Sequence, residues 1–252
     1  MALSPTQIIQ GFVSRLLPSF NTDGTNNSVT ARQSSYGELC TQPLVRKSHN
    51  LADEGSYWTA SSATGIVPTY GTTITATSPF ISIYNGNTAK SVGVDYVALT
   101  AIVAGAQTTA VGYTGIQVVV DTGNRYSSAG TNLVPVNVNL LSAGAANVTI
   151  WCGALVATAA SGNSRTTVSS RNIRPSVSTT VINVIGDMNL LNFGSVEGAT
   201  GSIVIANANI MPQAFPPLVV PPLCTALIYI YYPILTAPSA ATYAPEIGFW
   251  IR

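Results

Sequence analysis

The feature that most constrains the fold is a series of short strand-like runs from about Thr64 to the end of the chain. Val, Ile, Thr and Tyr are enriched in these runs, and Gly, Asn, Ser and Pro separate them at short intervals. That pattern is typical of β-strands joined by turns. No helical pattern lies between the runs, which argues against βαβ units and a parallel sheet. The sequence therefore predicts an all-β, antiparallel sandwich over residues 61–252.

Two turn-rich segments refine this expectation. Asn85-Gly86 predicts a tight hairpin turn. The Pro-rich stretch Pro212–Pro222 predicts a stiff crossing into the last strand pair, because proline cannot donate in a central ladder. Long crossings of this kind suit Greek-key topologies, so we expect a jelly roll. The expected strands are Thr72–Ala76, Phe80–Tyr84, Tyr96–Ala104, Ile116–Asp121, Val134–Leu140, Asn147–Ala157, Val181–Ile185, Ser202–Ala206, Thr225–Tyr232 and Pro245–Arg252.

Residues 1–60 form an expected N-terminal arm and connector that contains one short amphipathic helix. Ser4, Pro5 and Gln7 match a capping box with proline at the first helical position, and Pro18 ends the pattern, so the helix spans about residues 4–17. Its apolar stripe must be covered, either by the β domain of the same chain or by another protein. The stripe consists of Ile8, Ile9, Phe12, Val13, Leu16 and Leu17.

Charge is scarce, at 8% of residues against about 25% in an average soluble domain. Thr, Ser, Asn and Gly fill the deficit, which suits a surface covered by neighbouring subunits or an inert extracellular domain. The net charge of +1 predicts no direct nucleic-acid partner. No apolar run is long enough for a membrane helix, and no signal peptide is evident. The three cysteines, Cys40, Cys152 and Cys224, have no metal-ligand spacing.

Catalytic signals are weak, so we expect no enzyme activity and no cofactor or metal. The single histidine, His49, leaves one possible base for a nucleophile. The carboxylates, among them Asp95, Asp121, Asp187, Glu197 and Glu246, show no spacing that predicts a facing pair. The run Asp121–Asn124 offers at most a fragment of a calcium loop.

Aromatic residues cluster in the last 25 positions. Strand alternation places Tyr229 and Tyr231 on one face and Ile228, Ile230 and Tyr232 on the other, so this strand is apolar on both faces. We expect both faces to be covered, by the chain's own core or by a neighbouring subunit.

The C-terminal segments carry a family resemblance. The run from Leu227 to Pro233, then Ala240–Tyr243, then Glu246–Arg252, resembles the final strand pair of tailed-bacteriophage virion proteins. In those proteins an aromatic strand ending in proline is followed by a Ser/Ala linker and a Glu-x-Gly-aromatic-Trp strand. The resemblance is confined to these residues. It implies a jelly-roll virion component, such as a capsid decoration, cement, head-to-tail or tail accessory protein.

The sequence thus predicts a non-enzymatic structural protein, made in a bacterial cytoplasm and located in the virion. It would form a homo-oligomer, expected to be a trimer, and contact other virion proteins such as the major capsid protein. Two alternatives remain: a receptor- or carbohydrate-binding sandwich at a fibre tip, and a capsid subunit of a small icosahedral virus. The predicted interface residues are Ile8, Ile9, Phe12, Val13, Leu16, Leu17, Tyr229, Tyr231, Tyr232, Phe249 and Trp250.

Overall fold

The strand-like runs form the expected sheets, and all strand pairs that the structure describes are antiparallel except one. The structure, a computed structural model, describes residues 51–69, 71–106, 112–142, 144–158, 164–175, 181, 183–194, 203–205, 208–233 and 241–252. Leu51–Asp53 are helical. The strands are β1 Tyr57–Ser61, β2 Ile81–Asn85, β3 Val92–Val103, β4 Tyr113–Thr122, β5 Tyr126–Ser128, β6 Thr131–Leu133, β7 Val136–Asn137, β8 Val148–Cys152, β9 Val156–Ala157, β10 Thr166–Pro175, β11 Met188–Phe193, β12 Ile203–Ile205, β13 Ala208–Phe215, β14 Leu218–Val220, β15 Cys224–Tyr231 and β16 Thr242–Ile251.

Two large sheets pack face to face as a β-sandwich. The first has eight strands in the order β12-β13-β11-β3-β16-β1-β7, with β14 also paired to β3. The second has six strands in the order β10-β4-β15-β2-β8-β6, and β5 pairs with β9 in a small separate ladder. Alternate residues of both sheets form one apolar core, which includes Ile116 and Ile228 from the second sheet and Leu99 and Phe249 from the first. The prediction of an all-β sandwich is therefore confirmed.

The N-terminal expectations fall largely outside this description. The helix predicted over residues 4–17 lies outside the described residues. Tyr57–Ser61 pairs with β16, so the expected boundary between residues 60 and 61 falls inside a strand of the sandwich.

Strand β15 is covered on both faces by its own chain. Ala226, Ile228 and Ile230 point into the main core, whereas Leu227 and Tyr229 point to the outer face of the sheet. There they pack with Val119 of β4, and Ile74 from the segment between β1 and β2 packs against them. The Tyr229 hydroxyl donates to the Ala76 carbonyl oxygen at 2.8 Å. The predicted two-sided covering of this strand is confirmed, and a loop of the same chain supplies the outer cover.

Three predictions about local structure are wrong. Thr72–Ala76 consists of turns and bends, and Val181–Ile185 contains an isolated bridge from Val181 to Ala106 but no strand among its described residues. The Asn85-Gly86 pair does not close a hairpin, because β2 and β3 belong to different sheets. Asn85 instead is buried and donates to the carbonyl oxygens of Lys90, Val220 and Pro221. Its amide therefore holds a crossing between the sheets.

The Pro-rich stretch contains two strands, where a simple connection was expected. Pro212 lies in β13 opposite Leu190 of β11, in the parallel pair of the first sheet. On its other side β13 pairs with β12 through Ala208–Ile210, so no described residue of β12 lies opposite Pro212, which lacks an N–H donor. Leu218–Val220 then forms β14, which pairs with β3.

Glycines opposite aromatic residues allow close contact between neighbouring strands. Gly115 of β4 is the cross-strand partner of Tyr231, and a Cβ atom at Gly115 would lie 2.5 Å from Cζ of that ring. Gly93 of β3 has the same relation to Trp250 of β16, with the indole 2.1 Å from the position of a Cβ. Each ring thus covers a glycine of the adjacent strand, which restores packing that a glycine lacks.

We predict that Gly115→Ala destabilises the protein, because the added methyl group forces the Tyr231 ring out of its position. The expected cost is about 1–3 kcal/mol, which urea unfolding would measure as a lower midpoint. Gly144→Ala is the matched control, since nothing lies within 4 Å of a Cβ at that exposed position. Equal midpoints for the two variants would contradict the packing of Tyr231 on Gly115.

Candidate interaction surface

An exposed apolar row follows the edge of the first sheet. Val134, Val136, Val138, Leu140 and Leu141 all have exposed side chains, and Leu140 and Leu141 are 92% and 95% exposed. We call these five residues the edge row. Strand β7, in the middle of the edge row, is the last strand of its sheet. Single exposed apolar residues are common on proteins, whereas larger contiguous apolar patches are typical of interaction sites.

The edge row faces outward because the alternate side chains are anchored inward. The Asn137 amide donates to the Gly55 carbonyl oxygen at 2.8 Å, and the Asn139 amide donates to the Asp53 carbonyl oxygen at 3.1 Å. The Val138 N–H donates to the Tyr57 carbonyl oxygen at 3.2 Å. With the asparagines satisfied by backbone on the inner side, strand alternation leaves the valines on the outer side.

The segment that supplies the accepting carbonyl groups, residues 51–56, has a conformation held by backbone hydrogen bonds. The Gly55 N–H donates to the Ala52 carbonyl oxygen and the Ser56 N–H donates to the Leu51 carbonyl oxygen, which is a Schellman ending of the helical turn. Gly55 has a φ of +69°, and a Cβ there would lie 2.4 Å from the Ser142 hydroxyl oxygen. Glycine is required at position 55 because of the positive φ and because the Ser142 side chain leaves no room for a Cβ. The first described residues of the chain, from Leu51, therefore lie beside the edge row.

The edge row also spans the corner between the two sheets. Strand β6 is the last strand of the second sheet, and β7 is the last strand of the first. Val134 and Pro135 connect them, so the chain changes sheet within two residues. The edges of both sheets are therefore brought together at this corner, where they are open to another chain.

The structure places the predicted interface residues in three groups. The helical stripe from Ile8 to Leu17 lies outside the described residues. Tyr229, Tyr232 and Phe249 are buried within their own chain, and the Tyr232 hydroxyl lies 3.3 Å from that of Tyr243. Tyr231 and Trp250 are partly exposed. Of the C-terminal aromatic residues proposed for a subunit contact, only these last two have accessible surface.

A cleft of about 350 Å³ lies beside Trp250. Its lining includes Gly93, Asp95, Phe193, Pro217 and Trp250. It combines aromatic and aliphatic walls with one carboxylate, and its size falls in the range of small-molecule sites. A second opening, lined by Asp95, Tyr96, Asn192, Phe193 and Gly194, shares three residues with this cleft.

Two tyrosine–carboxylate pairs lie next to this cleft. The Tyr57 hydroxyl donates to Asp95 at 2.9 Å, and the Tyr96 hydroxyl donates to Glu246. Burial, together with the Asp95 carboxylate, raises the pKa of Tyr57 above its ordinary value, and burial and Glu246 do the same to the pKa of Tyr96. Both hydroxyls therefore remain protonated donors at neutral pH and orient the carboxylates.

Asp121 is held in a network that does not suit a calcium site. Its buried carboxylate accepts hydrogen bonds from Ser164 at 2.8 Å and from Arg125 at 3.1 Å, and Arg165 lies at 3.4 Å. Burial alone would raise the pKa of Asp121, but the Ser164 hydroxyl and the two guanidinium groups outweigh it and lower that pKa. Two adjacent cations oppose the binding of a third.

The remaining candidate groups are not brought together. No group of three or more His, Cys, Asp or Glu side chains that could hold a metal ion occurs among the described residues. Cys152 is buried in the core, where burial raises the pKa of its thiol, and Cys224 is partly buried; both are free thiols. His49 and Cys40 lie outside the described residues. In the part of the chain that the structure describes, no helix is long and apolar enough to cross a membrane.

Comparisons of the chain with protein-family profiles, with curated proteins and with solved structures found no match. The sequence predicted a strand over Val134–Leu140, of which only Val136–Asn137 forms one, and it did not identify the outward apolar side chains. The asparagine at every second position, Asn137 and Asn139, is the signal that distinguishes the two faces. The two faces can be assigned from these asparagines only when the carbonyl groups that accept their hydrogen bonds are known.

We predict that Asp121→Asn lowers the free energy of unfolding by about 2 kcal/mol at pH 7, because a charged acceptor is lost from two arginines. The lowered pKa means that the wild type keeps this contribution above the unfolded pKa of about 3.9 and loses it as pH falls below that value. The variant should therefore show less loss of stability from pH 5 to pH 2. Urea unfolding at several pH values measures both effects. Asp53→Asn, which removes an exposed carboxylate, is the control and should match the wild type.

Proposed function

We propose that this chain is a non-enzymatic structural protein of a bacteriophage particle. In this proposal it assembles with copies of itself and docks on the particle as a decoration, cement or head-to-tail accessory protein. The observation that carries the proposal is the edge row, a set of apolar side chains that the described part of the sandwich leaves uncovered. The resemblance of residues 227–252 to the last strand pair of phage virion proteins supports the particle as its location.

The strand order supports a jelly roll. Eight of the strands form the framework of the two sheets. Numbered one to eight in chain order, they are β1, β2, β3, β4, β10, β11, β15 and β16. The first sheet then reads one-eight-three-six, and the second reads two-seven-four-five. This is the order of a jelly roll, an architecture used by viral capsid proteins and by lectins. The other strands extend the edges of the two sheets.

Covering the edge row would contribute favourable free energy to assembly. Covering one leucine side chain contributes about 1.5–3 kcal/mol. Leu140 and Leu141 together would therefore change a dissociation constant by roughly a hundredfold or more. A second copy of this chain is the partner we assign, in line with the homo-oligomer that the sequence predicts. The scarcity of charge, at 8% of residues, agrees with a surface that other subunits cover.

We predict that the purified chain has a native mass that is a multiple of 26.1 kDa at micromolar concentration, with three copies expected. The double variant Leu140→Lys/Leu141→Lys should shift to the mass of one chain and keep its melting temperature, since both side chains are exposed. Analytical ultracentrifugation and circular dichroism measure these properties. The matched control is Val67→Lys/Ile185→Lys, which adds the same charge at other exposed apolar positions. A monomeric wild type would contradict self-assembly, and shells formed on expression alone would favour a capsid subunit.

A carbohydrate- or receptor-binding sandwich is the second candidate, and the cleft beside Trp250 favours it. An indole ring beside a carboxylate is a combination suited to a sugar, and jelly rolls include lectins. A glycan array would test this candidate. A glycan whose binding is lost in Trp250→Ala but kept in Trp151→Ala would support it. Trp151 is a suitable control because it stacks on Tyr126 elsewhere, with ring centroids 4.3 Å apart. An array without any bound glycan would exclude it.

A further inference from the structure

We propose that the cleft beside Trp250 binds the arginine side chain of a protein partner. In this arrangement Asp95 accepts hydrogen bonds from the guanidinium group inside the cleft, and Glu246 adds a second negative charge at the rim. The inference goes beyond self-assembly through the edge row and does not depend on it. It also differs from the carbohydrate candidate, because it requires a ligand with a positive charge.

A β-bulge in β3 forms the acidic wall of the cleft. Val94 and Tyr96 pair with two consecutive residues of β16, so Asp95 between them has no partner on that strand. The extra residue interrupts the alternation of the strand, because Val94 and Val97 both point into the core although they are three positions apart. Asp95 and Tyr96 therefore both face the outer side of the first sheet. Bulges redirect side chains in this way and are frequent next to functional sites.

Each carboxylate is oriented by one tyrosine. The Tyr57 hydroxyl donates to Oδ2 of Asp95 at 2.9 Å, and the Tyr96 hydroxyl donates to Oε1 of Glu246. The two tyrosines meet over Gly248, where a Cβ would lie 2.2 Å from Cε1 of Tyr96 and 2.7 Å from the Tyr57 hydroxyl oxygen. Each hydroxyl satisfies one carboxylate oxygen. The other two oxygens, Oδ1 of Asp95 and Oε2 of Glu246, have no hydrogen-bond donor among the described residues.

The two carboxylates lack a cation. Among the described residues, the ion pairs all belong to other carboxylates. Burial above all, and then Asp95 and Glu246 together, raise the pKa of Tyr57 and of Tyr96, so both negative charges lie within electrostatic reach of both hydroxyls. Two such charges at one cleft repel an anionic ligand and attract a cationic one.

The other walls suit an arginine side chain. Phe193, Pro217 and Trp250 line the cleft with aromatic and aliphatic surface. Its volume, about 350 Å³, lies at the lower end of the range for small-molecule sites and suits one side chain better than an oligosaccharide. A guanidinium group is planar, carries five N–H donors and stacks on aromatic rings. A lysine ammonium group makes fewer of these contacts, so we expect arginine to bind more tightly than lysine.

Titration of the full-length, ¹⁵N-labelled protein with N-acetylarginine amide tests the proposal. The chain has three tryptophans and so three indole N–H signals, and the spectrum of Trp250→Phe identifies the one beside the cleft. N-acetylcitrulline amide is the matched ligand, since it has nearly the same shape and no charge. We expect a saturable shift of the Trp250 signal, with a dissociation constant about tenfold lower for the arginine ligand, because a charge-assisted hydrogen bond contributes roughly that factor or more.

Charge removal in the protein should reproduce the effect of charge removal in the ligand. Asp95→Asn should raise the dissociation constant of N-acetylarginine amide about tenfold. Glu246→Gln should raise it about twofold, because that carboxylate is exposed at the rim. Asp53→Asn is the control, since it removes an exposed carboxylate outside the cleft and should leave binding unchanged. Melting temperatures establish that each variant is folded, and the comparison of the two ligands on the wild type decides the question if Asp95→Asn is not.

Four outcomes would overturn the proposal. The first is an unshifted Trp250 signal with the arginine ligand, and the second is equal affinity for the arginine and citrulline ligands. The third is equal weakening by Asp53→Asn and Asp95→Asn, which would attribute binding to the general charge of the protein. The fourth is glucosamine binding as tight as that of N-acetylarginine amide, with N-acetylglucosamine unbound, which would assign the cleft to an amino sugar. The native mass of the chain bears on self-assembly alone, so the two proposals can fail separately.

Discussion

The hydrogen-bond ladders of the last two strands hold both sheets together. In the second sheet β15 lies between β4 and β2, and in the first sheet β16 lies between β3 and β1. Without these two strands each sheet would separate into two parts that share no backbone pairing across the gap. The inward residues of the same strands, such as Ile228 and Phe249, also contribute to the common core. The corner with the edge row depends on this arrangement, because β7 pairs with β1 and β1 pairs with β16.

The central strands could be predicted from the sequence because their pattern is strong and continuous. Thr225–Tyr232 and Pro245–Arg252 were expected, and β15 and β16 occupy nearly the same residues. The two apolar faces of β15 also indicated two-sided covering, which the core and the outer cluster around Tyr229 provide. Strong β-propensity on buried positions leaves few alternatives, so local sequence and tertiary structure agree there.

Other features depend on partners that are distant in sequence. Asn85-Gly86 has the composition of a hairpin turn, but the Asn85 side chain donates hydrogen bonds to the carbonyl oxygens of Val220 and Pro221. The edge row would be expected to face inward, because valines usually occupy the buried face of a strand. Its orientation is reversed by the backbone acceptors at Asp53 and Gly55, more than eighty residues away. The candidate surface was therefore not predictable, and of the strand predicted there only Val136–Asn137 formed.

The position of the central strands has a consequence for biosynthesis. A ribosome delivers the chain from the N-terminus, so β15 and β16 emerge after all the strands that they join. Neither sheet can close before these two strands have left the exit tunnel. The earlier strands must therefore wait as unpaired edges during synthesis. A chain that stops before β15 would lack both central strands and could complete neither sheet.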